Sequence, residues 1–199
     1  LVESILARPP AEARLAGRAS LFRGLIWISV RMTWETVSTD ESLDACPLVL
    51  DELQASMANG ASLEVALDRV VALIANAFES DVGSLYLLHG QTLVLRATVG
   101  LLQSCVGRLG MRVDEGLVGL VAERQSPVVL AEAAQHPRFK YFPEADEDRY
   151  QSFLGVPLLS GRDLRGVLVI QTIDSRTFSD AEVQVLTRAG AVIGRALIP

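Results

Sequence analysis

Residues 149–171 read RYQSFLGVPLLSGRDLRGVLVIQ, and this stretch decides the fold. Two apolar runs flank the polar sequence SGRD at 160–163, which predicts two strands joined by a tight hairpin. Both runs are apolar enough to lie in the middle of a sheet. Pro157 has no N–H to donate to a neighbouring strand, so its strand must have an edge or a bulge at that position.

Helix and strand patterns continue on both sides of this hairpin. Upstream, apolar residues between 67 and 78 repeat at spacings of three and four, which predicts an amphipathic helix capped by Ser62. Downstream, Ser179 and Glu182 form a Ser-x-x-Glu capping box, which predicts a terminal helix to the chain end. The other predicted elements are a helix at 47–59, strands at 82–88, 92–99, 109–113 and 128–130, and a short helix at 117–124.

This order of elements predicts an α+β fold. An antiparallel sheet of about six strands accommodates it, with the N- and C-terminal helices on one face and the short helix and the long 131–149 loop on the other. Residues 1–42 show no clean period, so we expect a poorly ordered N-terminal extension there. We expect residues 43–199 to form the domain.

Composition excludes several classes of protein. The chain has 199 residues, half of them apolar, and a net charge of −6, which argues against binding to nucleic acid or to anionic lipid. The apolar segment 21–30 is too short to span a membrane. Cys46 and Cys105 make neither a disulfide framework nor a metal site. We therefore expect a cytoplasmic protein with no cofactor, no metal and no membrane contact.

The loop at 138–149 is the candidate binding segment, because it mixes cations, aromatics and acids. A carboxylate ligand needs a cation, and aromatic walls exclude water from the contact. Arg149 is the preferred cation over Arg138, because it adjoins the strand that begins at Ser152. The alternative is that the aromatic side chains only pack the loop onto the sheet. The expected ligand-binding residues are Tyr86, Arg138, Phe139, Tyr141, Phe142, Arg149, Phe153 and Gln171.

Three other positions carry weaker hypotheses. Asp114 and Glu115 precede the short helix, which favours capping of that helix by its own acids over binding of an anion. Cys105 has no neighbouring base in the sequence, so an inert thiol is favoured over redox chemistry. His136, before a proline, is expected to be a turn residue.

Three motifs then indicate a family: GLVGLVAER at 116–124, HPRFKYFPE at 136–144 and RYQSFLGVP at 149–157. With the rest of residues 43–197 they resemble a GAF domain. Within that superfamily they resemble the N-terminal regulatory GAF domain of enzyme I of the nitrogen-related phosphotransferase system. The first motif is common to many GAF domains, whereas the second and third together are more specific.

The resemblance implies a non-catalytic sensory domain that controls a phosphoenolpyruvate-dependent phosphotransferase. It implies glutamine or 2-oxoglutarate as the signal, a downstream catalytic domain outside this chain, and a role in nitrogen signalling. Catalysis of phosphoryl transfer needs a phosphorylatable histidine and a phosphoenolpyruvate-binding barrel, and this chain has only His89 and His136.

Three alternatives stay open: an input domain of a transcriptional activator or kinase, a dimerisation module without a ligand, and a redox enzyme like the free methionine sulfoxide reductases. Helices 47–59 and 179–197 are also expected to form a homodimer, because residues such as Val183, Val185 and Leu186 are apolar on more than one side.

Overall fold

The computed structural model describes residues 51–52, 54–55, 59–142 and 149–197. The predicted N-terminal extension, Cys46 and most of the predicted helix 47–59 lie outside the described residues, as do positions 143–148 of the predicted loop. The helices are α1 (Leu63–Ala77), α2 (Gly116–Arg124) and α3 (Asp180–Ala196). The strands are β1 (Val82–His89), β2 (Thr92–Val99), β3 (Gly110–Arg112), β4 (Val128–Leu130), β5 (Ser152–Ser160) and β6 (Asp163–Thr172).

The strands form one six-stranded sheet in the order β3-β2-β1-β6-β5-β4, and all neighbours pair antiparallel. The predicted hairpin is confirmed as β5 and β6, which lie inside the sheet. Short β4 pairs with residues 153–155 only, so Pro157 lies beyond the last pair on that side. A register irregularity follows between Leu158 and Leu159. The sheet therefore provides at Pro157 the edge that a proline needs.

Alternation along the strands divides the core into two clusters, one on each face of the sheet. On β1, Leu85 packs with α1 and α3, whereas Tyr86 faces α2. On β6, Leu168 and Val169 divide in the same way. The predicted distribution of helices over the two faces is confirmed, and it follows from the two-residue period of strand side chains.

Both helices of the first face begin at the predicted caps. The Ser62 side chain accepts a hydrogen bond from the backbone N–H of Val65, and Ser179 and Glu182 form the complete capping box of α3. α3 lies close to β5, because a Cβ atom on Gly194 would lie 2.5 Å from the carbonyl oxygen of Leu159. Glycine at that position is what allows the helix and the strand to touch backbone to backbone.

On the other face, α2 approaches the sheet over Gly155. A Cβ atom there would lie 2.7 Å from Cγ2 of Val121 and 2.8 Å from the ring of Phe153. α2 ends at Arg124, as predicted, and its C-cap residue Gln125 is left-handed with a φ of 49°. Within the described ranges, no helix is long and apolar enough to cross a bilayer.

Candidate functional site

A small cavity lies between the sheet and α2, and we call it the inner cavity. Strands supply Tyr86, Phe153 and Gln171, and the segment 138–142 covers them with Phe139 and Phe142. Its volume is about 20 Å³, which is room for one water molecule. Its remaining lining residues are Met111, Leu117, Val118, Lys140 and Val169.

A larger depression of about 700 Å³, the outer cleft, lies beside the inner cavity. Lys140 and Phe142 line both spaces, so the two spaces adjoin at these side chains, which we call the partition. The outer cleft has the volume of a typical small-molecule site, whereas the inner cavity does not. Its other lining residues are Ser104, Cys105, Arg108, Leu109, Gly110, Glu115 and Tyr141.

The partition is held in place by charge. The Lys140 ammonium donates a hydrogen bond to Oε1 of Glu115 and lies 5.3 Å from the centroid of the Phe142 ring. Oε2 of Glu115 accepts a hydrogen bond of 3.1 Å from the backbone N–H of Arg112. Together these bonds, the one from Lys140 foremost, lower the pKa of Glu115 below its ordinary value of 4.5. The carboxylate thus remains ionised where it holds Lys140.

The acids before α2 do not cap it as predicted. Glu115 is the N-cap residue, but its side chain makes no capping hydrogen bond, since it is bound to Lys140 and Arg112. Asp114 accepts a hydrogen bond of 3.0 Å from Nε of Arg112, which lowers the pKa of Asp114. Both carboxylates therefore contribute negative charge near the helix without occupying its amides.

The first turn of α2 and the Gln171 amide are polar groups at the inner cavity. The first hydrogen bond at the start of α2 runs from the N–H of Gly119 to the carbonyl of Glu115, so the preceding amides have no acceptor within the helix. Leu117 and Val118 carry two of those amides and line the cavity. Gln171 is 8% exposed, and no hydrogen bond joins its side-chain amide to another described residue.

The two predicted arginines lie outside both spaces. The Arg138 guanidinium donates to the Glu123 carboxylate at 2.9 Å and to the Asp114 carbonyl at 2.7 Å, so it ties its segment to both ends of α2. The Arg149 guanidinium stacks on the Tyr150 ring at 5.2 Å and donates to the Tyr150 hydroxyl. Neither arginine lines the inner cavity or the outer cleft.

Five of the eight predicted residues meet at the inner cavity: Tyr86, Phe139, Phe142, Phe153 and Gln171. Tyr141 lines the outer cleft instead and is 43% exposed. The prediction omitted Lys140 and Glu115, which form the charged part of the site. Lys140 carried a usable signal, because it is the only lysine among the 18 basic residues of the chain. Glu115 carried none, since its role depends on a segment 25 residues away.

The remaining candidates have ordinary surroundings. Cys105 is buried in the wall of the outer cleft. Nδ1 of His136 accepts a hydrogen bond from the backbone N–H of Arg138, the contact expected of a turn residue. Among the described residues, no group of three or more His, Cys, Asp or Glu side chains could hold a metal ion.

Comparison with known sequences gives consistent results. A family model for the GAF domain matches residues 62–197. The phosphoenolpyruvate-dependent phosphotransferase system protein of Salmonella typhimurium LT2 is 35% identical over 155 residues, which are 75% of this chain and 21% of that protein. Its counterpart from Escherichia coli K12 is 35% identical over 153 residues, 74% of this chain and 20% of the relative. The chain thus spans about a fifth of the length of these curated relatives.

Comparison with solved structures also finds GAF domains. The GAF domain of a phosphoenolpyruvate-protein phosphotransferase from Coxiella burnetii is 34% identical, with a TM-score of 0.72 over 79% of this chain and 93% of that one. The corresponding Acinetobacter domain is 35% identical, with a TM-score of 0.69 over 80% and 93%. Free methionine-R-sulfoxide reductase from Neisseria meningitidis is 19% identical, with a TM-score of 0.66 over 80% and 91%, and shares the fold alone.

Proposed function

The chain belongs to the GAF domain family, and on that premise we propose that it is the sensory domain of a larger phosphoenolpyruvate-dependent phosphotransferase. Its ligand is a small carboxylate or amino acid, with glutamine and 2-oxoglutarate as the first candidates. The ligand enters through the outer cleft and binds at the inner cavity. Binding then regulates a downstream catalytic domain in response to nitrogen supply.

One observation carries this proposal: an aromatic cavity between the sheet and α2 is lined by the mostly buried Gln171 and by Lys140, whose ammonium pairs with Glu115. Apolar walls with a few convergent polar groups are the usual construction of a small-molecule site. A purely structural plug of aromatic side chains would not need polar side chains such as Gln171 and Lys140 in the cavity wall.

The hairpin of β5 and β6 offers a route from the ligand to the rest of the protein. It supplies Phe153 and Gln171 to the cavity on one face. On its other face, β5 touches α3 at Gly190 and Gly194, where added Cβ atoms would lie 3.0 and 2.5 Å from backbone oxygens of the strand. A ligand that shifts this hairpin therefore also shifts α3, which leads toward the following part of the protein.

We also propose that this chain is not itself catalytic and that it acts in the cytoplasm as a homodimer. Phosphoryl transfer belongs to a downstream domain, in keeping with the 35% identity to phosphotransferase system proteins. A second candidate function is input to a transcriptional regulator, because a Nif-specific regulatory protein of Herbaspirillum seropedicae is 27% identical over 168 residues.

Calorimetry tests the proposal directly. Glutamine and 2-oxoglutarate are titrated separately into the protein, and one of them is expected to bind saturably. The Arg149→Ala and Arg138→Ala variants decide between cations. The sequence-based expectation that Arg149 holds the carboxylate requires Arg149→Ala to weaken binding more, whereas a carboxylate held at Lys140 requires both variants to bind like the wild-type protein, because neither arginine lines the inner cavity or the outer cleft. Absence of binding by both compounds and by a panel of other small carboxylates would overturn the sensory function.

A further inference from the structure

We propose that without ligand the Glu115 carboxylate pairs with Lys140, and that the carboxylate of an entering ligand displaces Glu115 from this ion pair. Gln171 then binds the other end of the ligand and determines which ligands are accepted. The inference rests on the proposed function and assigns the residues that set its affinity and selectivity. It narrows the ligand class to a small carboxylate whose far end carries a neutral hydrogen-bonding group such as an amide, which favours glutamine over the dicarboxylate 2-oxoglutarate.

Gln171 is 8% exposed and lines the inner cavity, and no hydrogen bond joins its side-chain amide to another described residue. The inner cavity has room for one water molecule beside this amide. A ligand that pairs with both the N–H and the C=O of the amide replaces the hydrogen bonds that such a water can make. An apolar ligand end would leave the amide unpaired, so Gln171 discriminates against it.

The inner cavity and the outer cleft differ greatly in volume. The inner cavity of about 20 Å³ admits one water molecule, whereas the outer cleft of about 700 Å³ admits a metabolite. Lys140 and Phe142 line both spaces, which adjoin at these side chains. Any ligand larger than water that reaches Gln171 must therefore displace one or both of these side chains.

The ion pair between Lys140 and Glu115 determines how a ligand carboxylate can bind. Lys140 is held by the Glu115 carboxylate, and Glu115 is held in turn by the backbone N–H of Arg112. Leu117 and Val118 of the first turn of α2 line the same cavity, and no side-chain cap occupies the amides of that turn. A ligand carboxylate therefore finds a cation and a positive helix end, but must first compete with Glu115 for the cation.

Three substitutions separate these roles, and glutamine and norvaline are the probes because they differ mainly in their far ends. Glu115→Gln removes the competing charge, so glutamine should bind about fivefold to tenfold more tightly. Lys140→Met removes the cation and should weaken glutamine at least about tenfold. Gln171→Leu should reverse or abolish the preference for glutamine over norvaline, about a tenfold change in their affinity ratio.

Asp163→Asn is the control, because Asp163, at the start of β6, is a carboxylate paired with Arg165 and lines neither space. It should leave both affinities unchanged. Thermal melting establishes that each variant is folded, and Gln171→Met replaces Gln171→Leu if the latter does not fold.

The results show separately whether the proposed function fails and whether the roles of Glu115 and Gln171 fail. If the wild-type protein binds neither glutamine nor any other small carboxylate, the proposed function fails. If it binds glutamine but Glu115→Gln leaves the affinity unchanged and the Gln171 variant keeps the wild-type preference, the exchange and the selection are both wrong while the sensory function stands. If a different carboxylate from the panel binds, that compound replaces glutamine as the probe. An analogue of it without the polar group at the far end then replaces norvaline.

Discussion

At the scale of single residues, two carboxylates are shifted in opposite directions by their surroundings. The hydrogen bond from Lys140, with that from the Arg112 backbone, lowers the pKa of Glu115, whereas burial and the neighbouring Glu64 raise the pKa of Asp68. A lowered carboxyl pKa stabilises the folded state above the ordinary value of 4.5, and this contribution is lost as the pH falls through the folded value. A raised pKa has the opposite sign, so Asp68 favours the unfolded state at neutral pH.

Carbon-detected NMR titration checks the first of these shifts. We expect the Glu115 carboxyl to titrate below pH 4.5 in the wild-type protein and closer to that value in Lys140→Met. Asp68 serves as the internal control, because Lys140 is not among the causes of its shift. An unchanged Glu115 midpoint in the variant would show that the ion pair with Lys140 does not set the pKa.

Gly155 yields a prediction about packing. In Gly155→Ala, the new methyl group would lie 2.7 Å from Val121 Cγ2 and 2.8 Å from the Phe153 ring, so α2 or the ring must move. We expect a loss of about 1–3 kcal/mol in the free energy of unfolding, as for other overpacked sites. Denaturant unfolding measures it. In a double-mutant cycle with Val121→Ala, the two effects should be less than additive, and strict additivity would place the clash elsewhere.

Residue identity alone could predict part of the site. Tyr86, Phe153 and Gln171 were recognisable as strand residues of a possible ligand face, and the structure brings them together. The cation was harder to assign, because Arg138, Lys140 and Arg149 all occur in one loop and only tertiary contacts distinguish them. Arg138 is engaged by Glu123 and Arg149 by Tyr150, whereas Lys140 borders the cavity.

At the scale of elements, the two cap residues on the α1 and α3 face make different numbers of contacts. Ser179 takes part in a reciprocal box: its backbone N–H donates to Glu182 at 2.7 Å and its hydroxyl accepts from the Glu182 N–H at 3.3 Å. Ser62 accepts one bond, from Val65, at 3.4 Å. We expect Ser179→Ala to cost about 1–2 kcal/mol and Ser62→Ala about 0.5 kcal/mol. Thermal unfolding compares them, and equal costs would contradict a special role for the box.

Elements with strong local signals were predictable from the sequence, and elements defined by long-range contacts were less so. The β5–β6 hairpin and the α3 capping box each follow from residues close together in the chain, and both are confirmed. The capping of α2 was predicted wrongly, because the carboxylate of Glu115 turns to Lys140, which is distant in sequence. The end of α2 at Arg124 was predicted correctly, and Gln125, in a left-handed conformation, follows it.

At the scale of the whole molecule, the homodimer stays a prediction, but the α3 side chains on which it was based pack within the domain itself. Val185 and Leu186 are buried in the domain's own core, and Val183 packs against the same cluster. These side chains therefore give no second apolar stripe on α3, and the partner helix 47–59 lies mostly outside the described residues. Sedimentation at about tens of micromolar, the range of weak interfaces, tests the association. A monomer at that concentration would remove the prediction.

Ligand binding should also change backbone dynamics across the domain. If a metabolite enters between the sheet and α2, the amides of 138–142 and of the first turn of α2 should exchange more slowly at saturation. Hydrogen exchange with mass spectrometry measures this, with the β1–β2 turn at Gly90 as a region expected to stay unchanged. Equal protection with and without a bound ligand would place its site elsewhere.

Pro157 has a consequence for how this protein behaves at high concentration. Within the part of the chain that the structure describes, β4 covers only the first part of β5, so the remaining backbone of β5 is where a strand from another molecule would pair and start ordered aggregation. Proline interrupts the row of donors such a strand would need. Pro157→Val restores the missing donor, so light scattering during slow heating should rise at a lower temperature than in the wild-type protein. Protection from ordered aggregation thus depends on a single proline, Pro157, in the β5–β6 hairpin.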